Sequence, residues 1–438
     1  MPHEQSEEPT LSWVRGDFYF APSFYPVVKD GKVYCENKAY RGLFIFDLES
    51  GEEIWHGKED ESVRAPPALD CEYVFFPRGI SEYFRLVCFS LETKEPLWIT
   101  KGPGRPTSSP LIVDDKIIIA TGSRYERLDE GPVNEDYVIC FDKFTGKCLW
   151  KFKTGEKMNS LPAVCQNAVV ASSADGTLFA LTINNGDLLW KFETGQTVST
   201  SMSPIVYKDR IYYGCRNLYC LSTDGDLLWK IDLDPYGDIS LSGGILYVRS
   251  SEGIVSIDIE SKDILWTYPV DRKIMTTIVS GAGLLFFGTS EGDVCCLSRE
   301  GELLWRYRIT DDYFYYYVKP VLSEGYLLLV SGLNKLYAFR LPAEYCYTEA
   351  EGLAEEGKYE EAGGFYVKAL EYYEEVDNKE MVEKITQKIS AMDFQAEDQC
   401  TEWLEYREQE GDFRVMAIAV IAILALAALL IARKRIFG

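Results

Sequence analysis

One pattern of apolar and polar positions recurs along the first 345 residues. It consists of a short apolar run, a polar turn that usually contains glycine, and a second apolar run that ends in tryptophan. Two apolar runs around a tight turn predict paired β-strands. Seven tryptophans end this pattern, at steps of 43, 52, 40, 39, 37 and 39 residues: Trp55, Trp98, Trp150, Trp190, Trp229, Trp266 and Trp305. A period of roughly 40 residues is typical of the four-stranded blades of a β-propeller.

Two features depart from the regular repeat. Lysine replaces the turn glycine at Lys94 and Lys262, and we expect those turns to be longer or strained, because glycine tolerates positive φ at little cost. The longest step contains a polar segment with glycine and proline, residues 122–136. This segment predicts a loop that protrudes from the third blade.

The two ends of the repeat region complement each other. Trp13 lacks the apolar run before it, whereas residues 335–341 begin the pattern and never reach a tryptophan. We therefore expect the strand around Trp13 to complete the last blade. The sequence predicts an all-β, eight-bladed propeller over residues 11–345, closed by its N-terminal strand, which leaves no long exposed sheet edge.

The repeats resemble the PQQ-like propeller repeat, in which a strand, an Asp-x-x-Thr-Gly turn and a terminal tryptophan follow one another. Asp142, Thr145, Gly146 and Trp150 match this pattern. The resemblance implies the propeller fold and decides function only weakly, because propellers carry many activities. The family includes quinoprotein alcohol dehydrogenases and the bacterial outer-membrane assembly lipoprotein, a non-enzymatic ring that binds partner proteins.

The C-terminal part is predicted to be helical. Residues 346–392 resemble a tetratricopeptide hairpin followed by a further helix over 378–392, and residues 393–414 form an acidic linker. Residues 415–432 are 18 uncharged apolar residues, which as a helix would be about 27 Å long and would span a bilayer. The sequence thus predicts a short helical segment, an acidic linker and one transmembrane helix that acts as a C-terminal anchor.

The side of the membrane on which the propeller lies has two conflicting indications. The basic residues 433–435, which directly follow the apolar segment, place the tail in the cytoplasm and the ring outside, by the positive-inside rule. The first residues contain no apolar stretch that could serve as a secretion signal, which favours a tail-anchored chain with its ring in the cytoplasm. We give slight preference to the cytoplasmic side.

Composition narrows the possible partners. The net charge of −24 argues against nucleic acid or an anionic membrane surface. Two histidines and the lack of a Cys-x-x-Cys motif make a zinc site unexpected. Half of the twelve cysteines fall inside predicted strands without a regular pairing pattern, which favours a reducing compartment: Cys35, Cys88, Cys140, Cys165, Cys215 and Cys220.

Three groups of residues are candidates for a site, and each has a structural explanation. Cys295 and Cys296 match the vicinal cysteines beside the quinone of PQQ-dependent alcohol dehydrogenases, but consecutive strand residues face opposite ways, which favours two packed thiols. The aromatic run 313–317 either packs between blades or lies at a rim and grips a peptide. Residues 108–110 and 201–204 occupy equivalent loops, and we expect them to line one mouth of the channel.

The sequence contains no nucleophile elbow, Walker loop or dinucleotide fingerprint. It indicates no catalytic, cofactor-binding or metal-binding residue and no cofactor. The favoured hypothesis is a membrane-anchored, non-catalytic propeller scaffold that binds one or more protein partners. The alternative is a quinoprotein-type oxidoreductase or a small-ligand receptor that uses the channel mouth, and a third hypothesis, by analogy, is an envelope assembly factor.

Overall fold

Eight antiparallel sheets follow one another along the chain in a computed structural model. The structure describes residues 9–16, 25–37, 42–57, 65–78, 83–122, 136–158, 160–197, 202–269, 273–281, 283–309, 312–314, 318–375 and 381–389. The chain divides into two compact units, Met1–Glu349 and Ala350–Gly438. The predicted loop of the third blade, the acidic linker 393–414 and the predicted transmembrane helix 415–432 lie outside the described residues, apart from the two ends of the loop.

Each sheet of the first unit is one blade, and its strands run in chain order from the innermost to the outermost. Blade 1 contains β2 (Val27–Lys29), β3 (Lys32–Asn37), β4 (Gly42–Asp47) and β5 (Glu53–His56), and blade 2 contains β6 (Ala68–Leu69), β7 (Tyr73–Arg78), β8 (Tyr83–Ser90) and β9 (Pro96–Pro103). Blade 3 contains β10 (Arg105–Pro106), β11 (Leu111–Val113), β12 (Lys116–Gly122), β13 (Tyr137–Asp142) and β14 (Cys148–Lys153). Blade 4 contains β15 (Ala163–Cys165), β16 (Ala168–Ser172), β17 (Thr177–Thr182) and β18 (Leu188–Glu193).

The remaining four blades have the same plan, except that the N-terminal strand is the outermost strand of the last one. Blade 5 contains β19 (Ile205–Tyr207), β20 (Arg210–Cys215), β21 (Asn217–Ser222) and β22 (Leu227–Ile231), and blade 6 contains β23 (Ser240–Ser242), β24 (Ile245–Ser250), β25 (Gly253–Asp258) and β26 (Ile264–Tyr268). Blade 7 contains β27 (Val279–Gly281), β28 (Leu284–Gly288), β29 (Asp293–Ser298) and β30 (Leu303–Arg308). Blade 8 contains β31 (Val321–Ser323), β32 (Tyr326–Val330), β33 (Leu336–Arg340) and β1 (Thr10–Arg15).

The N-terminal strand closes the ring as the sequence predicted. β1 pairs antiparallel with β33, so that Leu11 lies opposite Phe339 and Trp13 opposite Ala338. Inner strands of consecutive blades also lie next to one another, including β2 and β31, the first and last of the series. The prediction of eight blades sealed by the segment around Trp13 is therefore confirmed.

The core lies between the blades. The second and third strands of a blade are buried along almost their whole length, whereas outermost strands such as β18 and β22 alternate between exposed and half-buried residues. One cluster joins Val170 and Leu178 of blade 4 to Ile211 and Leu221 of blade 5, all without exposed surface. A single blade cannot cover both of its faces, so neighbouring blades stabilise one another by burying apolar side chains.

Five of the tryptophans dock on the turn that precedes the outermost strand of the next blade. Each indole Nε1–H donates to a carbonyl oxygen of that turn: Trp13 to Leu48 (2.8 Å), Trp98 to Lys143 (3.1 Å), Trp150 to Ile183 (2.8 Å), Trp190 to Thr223 (2.8 Å) and Trp266 to Arg299 (2.7 Å). The ring covers the turn glycine, where a Cβ would collide with it: Gly51, Gly146, Gly186, Gly225 and Gly301. The repeat thus needs glycine for contact as well as for φ.

The two lysine turns keep the length of the five-residue glycine turns and adopt the strained conformation. Lys94 and Lys262 have φ of 60° and 68°, in the left-handed region. Trp229 packs in the cluster beside the Lys262 turn, and its buried Nε1 has no hydrogen-bond partner among the described residues. Of the two outcomes that the sequence allowed, strain is therefore the one observed.

Helix α1 (Ala343–Glu355) begins in the first unit, where the Tyr345 ring packs edge-on against Phe286 of blade 7. In the second unit, the end of α1, α2 (Tyr359–Glu375) and a helical segment at 381–389 form a small bundle. The carboxylate of Glu351 accepts a hydrogen bond from Tyr366 Oη and pairs with Lys388 Nζ at 2.9 Å. No helix within the described ranges is both long enough and apolar enough to cross a bilayer.

Candidate binding site at the channel mouth

One end of the ring carries the loops that connect each blade to the next. Because the four strands of a blade run antiparallel, the connections between the second and third strands and those between blades lie at this same end. The connections between blades contain a proline directly before the inner strand in six of the eight blades: Pro26, Pro67, Pro110, Pro162, Pro204 and Pro320. These prolines are buried and fix the entry of the chain into the innermost strand.

The residue two places before each inner strand forms what we call the mouth ring: Tyr25, Pro66, Ser109, Leu161, Ser203, Asp238, Thr277 and Lys319. The inner strands surround the axis, so these eight positions line the mouth of the channel. Ser109 and Ser203 occupy equivalent positions, as the sequence predicted.

Hydrogen bonds connect members of the mouth ring. The Ser203 hydroxyl oxygen accepts from the backbone N–H of Leu161 at 3.1 Å, and the Ser203 N–H donates to Oδ1 of Asp238 at 2.8 Å. Tyr25 Oη and Ser109 Oγ lie 2.8 Å apart. The polar groups of Tyr25, Ser109, Ser203 and Asp238 are therefore held in place before any ligand arrives.

Two opposite charges belong to the ring. Burial raises the pKa of Asp238, and the ammonium of Lys319 and the Ser203 N–H act in the opposite direction. The Lys319 Nζ also lies 5.2 Å from the centre of the Tyr25 ring, within the range of a cation–π contact. The mouth thus carries the carboxylate of Asp238, the ammonium of Lys319 and several hydroxyl groups. The side chains of the inner strands below it are mostly aliphatic and half-buried.

Exposed aromatic and aliphatic side chains of blades 5 to 8 lie at the same end of the ring as the mouth. Tyr236, in the connection between blades 5 and 6, is 43% exposed. Its ring packs under the guanidinium of Arg249 at 4.7 Å, and its N–H donates to the Arg249 carbonyl at 2.7 Å. Arg249 in turn donates from Nη1 to the carbonyl oxygen of Thr276 at 3.2 Å. Tyr236 is exposed but held from two sides.

The carboxylate of Asp312 fixes the aromatic run. Its Oδ1 accepts from the N–H of Tyr313 (2.8 Å) and of Leu333 (3.0 Å), and its Oδ2 accepts from Tyr337 Oη (3.2 Å). Burial, reinforced by this carboxylate, raises the pKa of Tyr337. Phe314 is fully buried, whereas Tyr313 and Leu333 are 38% and 47% exposed. Phe314 therefore packs inside the ring and Tyr313 lies at its rim, whereas the gripping of a peptide stays a prediction; residues 315–317 lie outside the described ones.

The vicinal cysteines lie away from this mouth. Cys295 and Cys296 are buried thiols that no disulfide joins, in the middle of β29, the third strand of blade 7, and their backbones pair with successive residues of β28. Burial raises the pKa of Cys296 to about 12. The described residues contain no cluster of acidic, histidine or cysteine side chains that could hold a metal ion. The described residues therefore lack the ligand cluster that a quinone with its calcium requires. His56, exposed and paired with Glu53, lies on the outermost strand of blade 1, whereas the mouth ring precedes the innermost strands.

Sequence reasoning found the serines of the mouth ring and missed Asp238, Lys319 and Tyr236. A signal for the first two exists, because both occupy the position two residues before the inner strand, which aligning the blades would have revealed. Tyr236 carries no such signal, since its exposure depends on the path of one connecting loop.

Comparison with known proteins shows which repeats and which folds this chain resembles. Residues 132–229 and 216–341 match the family model of the outer membrane protein assembly factor BamB. The structure is similar to BamB from Moraxella catarrhalis (TM-score 0.62, 15% identity, covering 76% of this chain and 98% of that one). It is also similar to the computationally designed Ika8 protein (0.59, 11%, 73% and 96%) and to the quinohemoprotein alcohol dehydrogenase ADHIIG from Pseudomonas putida HK5 (0.56, 12%, 76% and 76%).

No curated protein sequence matches the chain. The three structural likenesses are all below 25% identity and therefore establish the fold and nothing further. The chain is an eight-bladed β-propeller, and its residues 132–341 are similar to the repeats of the outer membrane protein assembly factor BamB.

Proposed function

We propose that this chain is a membrane-anchored, non-catalytic scaffold that binds protein partners through the mouth end of its propeller. The observation that carries the proposal is the set Tyr236, Tyr313 and Leu333, which are exposed yet held by hydrogen bonds or packing. Rigid exposed aromatic side chains lose little entropy on binding and are enriched among the residues that dominate protein interfaces.

The comparisons support this direction. The matched family model is that of an outer membrane protein assembly factor, a name that favours a role with protein partners. Three hydroxyl groups of the mouth ring, those of Tyr25, Ser109 and Ser203, already bond to one another or to backbone, which suits a preformed recognition surface.

The anchor is residues 415–432, with the basic residues 433–435 on its far side. We place the ring on the cytoplasmic side. Nine of the eleven described cysteines are buried, and small packed thiols of this kind suit a reducing compartment. Protease digestion of intact cells and of inverted vesicles tests it: cleavage of the ring in inverted vesicles only is expected, and cleavage in intact cells would place the ring outside.

Recovery of partners from detergent extracts tests the binding surface. Tyr313→Ala and Leu333→Ala should each reduce recovery of a stoichiometric partner by roughly tenfold, because truncation of a central interface residue weakens binding by at least this factor. The matched control is Phe144→Ala, since Phe144 is 55% exposed in a turn at the opposite end of the ring. Equal recovery by all three variants, with unchanged melting temperatures, would contradict the proposal.

A second candidate function is a receptor for a small polar molecule, favoured by the opposite charges of Asp238 and Lys319 in the mouth ring. Calorimetric titration with pyrroloquinoline quinone and calcium tests the quinoprotein form of this idea. A saturable signal that disappears in Asp238→Asn would support it, and a flat titration would remove it.

A further inference from the structure

The contacts that connect members of the mouth ring leave one gap. Tyr25 of blade 1 bonds to Ser109 of blade 3, and Lys319 of blade 8 lies over the Tyr25 ring with its Nζ 5.2 Å from the ring centre. On the other side, Oδ1 of Asp238 in blade 6 accepts the N–H of Ser203 in blade 5 at 2.8 Å. Each charged side chain is thus held by the blade on its far side, and the gap between them lies at blade 7.

The two charges that border this gap influence each other without pairing. Burial raises the pKa of Asp238, and the ammonium of Lys319 acts in the opposite direction. Within the part of the chain that the structure describes, no ion pair joins the two, and the Lys319 ammonium donates no hydrogen bond. Both side chains are half-buried. Charges that have lost part of their hydration and remain unpaired can each gain a charge-assisted hydrogen bond from a ligand.

Blade 7 supplies an unused hydroxyl group at the gap. Thr277 is the member of the mouth ring between Asp238 and Lys319, and its Oγ1 is buried with no hydrogen-bond partner among the described residues. Its backbone is fixed, because its N–H donates to the carbonyl oxygen of Val318 at 2.9 Å and its carbonyl oxygen accepts from Thr276 Oγ1 at 2.8 Å. A buried hydroxyl without a partner is costly, so a ligand that bonds to it gains the full benefit of that bond.

We propose that the gap at blade 7 binds a free α-amino acid as its zwitterion, with the ligand carboxylate on Lys319 Nζ and Thr277 Oγ1 and the ligand ammonium on the carboxylate of Asp238. A zwitterion brings one charge of each sign, so both protein charges gain a partner while the net charge of the mouth is unchanged. This inference rests on the second candidate function, the receptor for a small polar molecule, and names its ligand.

The surroundings of the gap favour an aliphatic amino acid. The inner strands below the mouth are mostly aliphatic, as in β2, β11 and β31, and suit an apolar ligand side chain. The Thr277 oxygen is covered, so a ligand reaches it only when a neighbouring side chain moves. We expect the Lys319 side chain to move, because its stem is flexible and no hydrogen bond to a described residue holds its ammonium.

Calorimetric titration of the full chain in detergent micelles with L-leucine tests the proposal. L-Leucine should give a saturable signal. Isocaproate, which lacks the ammonium group, and isoamylamine, which lacks the carboxylate, should each bind at least roughly tenfold more weakly, because each leaves one protein charge without a partner. A flat titration with L-leucine would overturn the proposal, as would equally tight binding of either analogue.

Three variants assign the ligand groups to their residues. Lys319→Met should weaken binding of L-leucine by roughly tenfold and leave that of isoamylamine unchanged, whereas Asp238→Asn should weaken L-leucine similarly and leave isocaproate unchanged. Thr277→Val should fold at least as well as the wild type, since its hydroxyl has no partner among the described residues, and should also bind L-leucine more weakly. The matched control is Lys208→Met, because Lys208 Nζ also lies 5.2 Å from a tyrosine ring, that of Tyr207, in a turn at the opposite end of the ring. Equal losses in Lys208→Met and Lys319→Met would refute the assignment.

The titrations separate this inference from the function on which it rests. Binding of pyrroloquinoline quinone with calcium, together with a flat titration for L-leucine, would keep the receptor and remove the amino-acid site. Flat titrations with both would remove the receptor as well. Neither result bears on the recovery of protein partners, which tests the scaffold by itself.

Discussion

The contact between an indole and the turn glycine of the next blade can be measured by replacing Gly186 with alanine. Gly186 has φ of 71°, and an ideal Cβ there would lie 2.5 Å from Cδ2 of Trp150. Trp150 is 8% exposed, and its Nε1 donates to Ile183 at 2.8 Å. The added methyl group must therefore displace a buried ring and stretch or break its hydrogen bond.

The expected loss has three parts. A left-handed conformation costs an alanine about 1–2 kcal/mol relative to glycine. Overpacking of a filled core costs about 1–3 kcal/mol, and the loss of a typical hydrogen bond about 1 kcal/mol. The smaller entropy of an unfolded alanine returns about 0.4–1 kcal/mol. Gly186→Ala should thus lower the free energy of unfolding by about 4 kcal/mol.

Blade 4 supplies a matched control in Gly195. Its φ of 69° is almost that of Gly186, and nothing lies within 4 Å of the position of its Cβ. Gly195→Ala therefore carries the conformational cost without the collision and should cost about 1 kcal/mol. Denaturant unfolding followed by tryptophan fluorescence compares the two midpoints. Equal midpoint shifts would show that the indole contact contributes nothing beyond backbone strain.

Three further predictions concern closure, the strained turns and the buried thiols. Trp13→Ala should lower the free energy of unfolding by about 3–5 kcal/mol in the same assay, because Trp13 joins the last blade to the first through Leu48; an unchanged midpoint would show that the ring closes without it. Lys262→Gly should raise the free energy of unfolding by about 1 kcal/mol, since it relieves a positive φ and opens the space over which the Trp229 indole could dock. A gain that persists in the background of Trp229→Phe would come from the backbone. Burial raises the pKa of Cys140 from 9.0 to about 12, so the unfolded chain ionises first; stability should be complete below about pH 9 and then fall by about 1.4 kcal/mol per pH unit for this thiol up to pH 12. Urea midpoints of the wild type and of Cys140→Ala at pH 8 and pH 10.5 measure the difference, and equal slopes would refute it.

The fold was readable from the sequence because the same physical requirement recurs in every blade. A buried indole, a tight turn and two apolar runs leave a pattern with a fixed period, and the incomplete ends at Trp13 and Phe339 revealed how the ring closes. The details at Lys262 were less accessible. The lysine indicated strain or extra length, but only the structure shows that the turn keeps its length and that the Trp229 Nε1 has no hydrogen-bond partner among the described residues.

The binding surface was harder to predict, since its residues have no shared period beyond the mouth ring itself. The aromatic run illustrates the difficulty, because two neighbouring residues differ in burial: Phe314 is buried and Tyr313 is exposed. The carboxylate of Asp312 accepts from the N–H of Tyr313 and from the N–H of Leu333, which belongs to a different loop. Such a contact depends on the packing of two loops and leaves no local mark in the sequence.

The two ends of the ring are constrained in different ways, and this difference argues for the mouth end as the site of binding. At the opposite end, the seven turns that precede an outermost strand other than β1 span four or five residues, and five of them carry a glycine beneath an indole. A substitution there alters the packing between blades. At the mouth end, connections between blades such as 232–239 and 309–320 differ in length, and side chains such as Asp312 and Arg249 fix them individually. A partner surface can therefore change at the mouth end while the repeat that stabilises the ring stays the same.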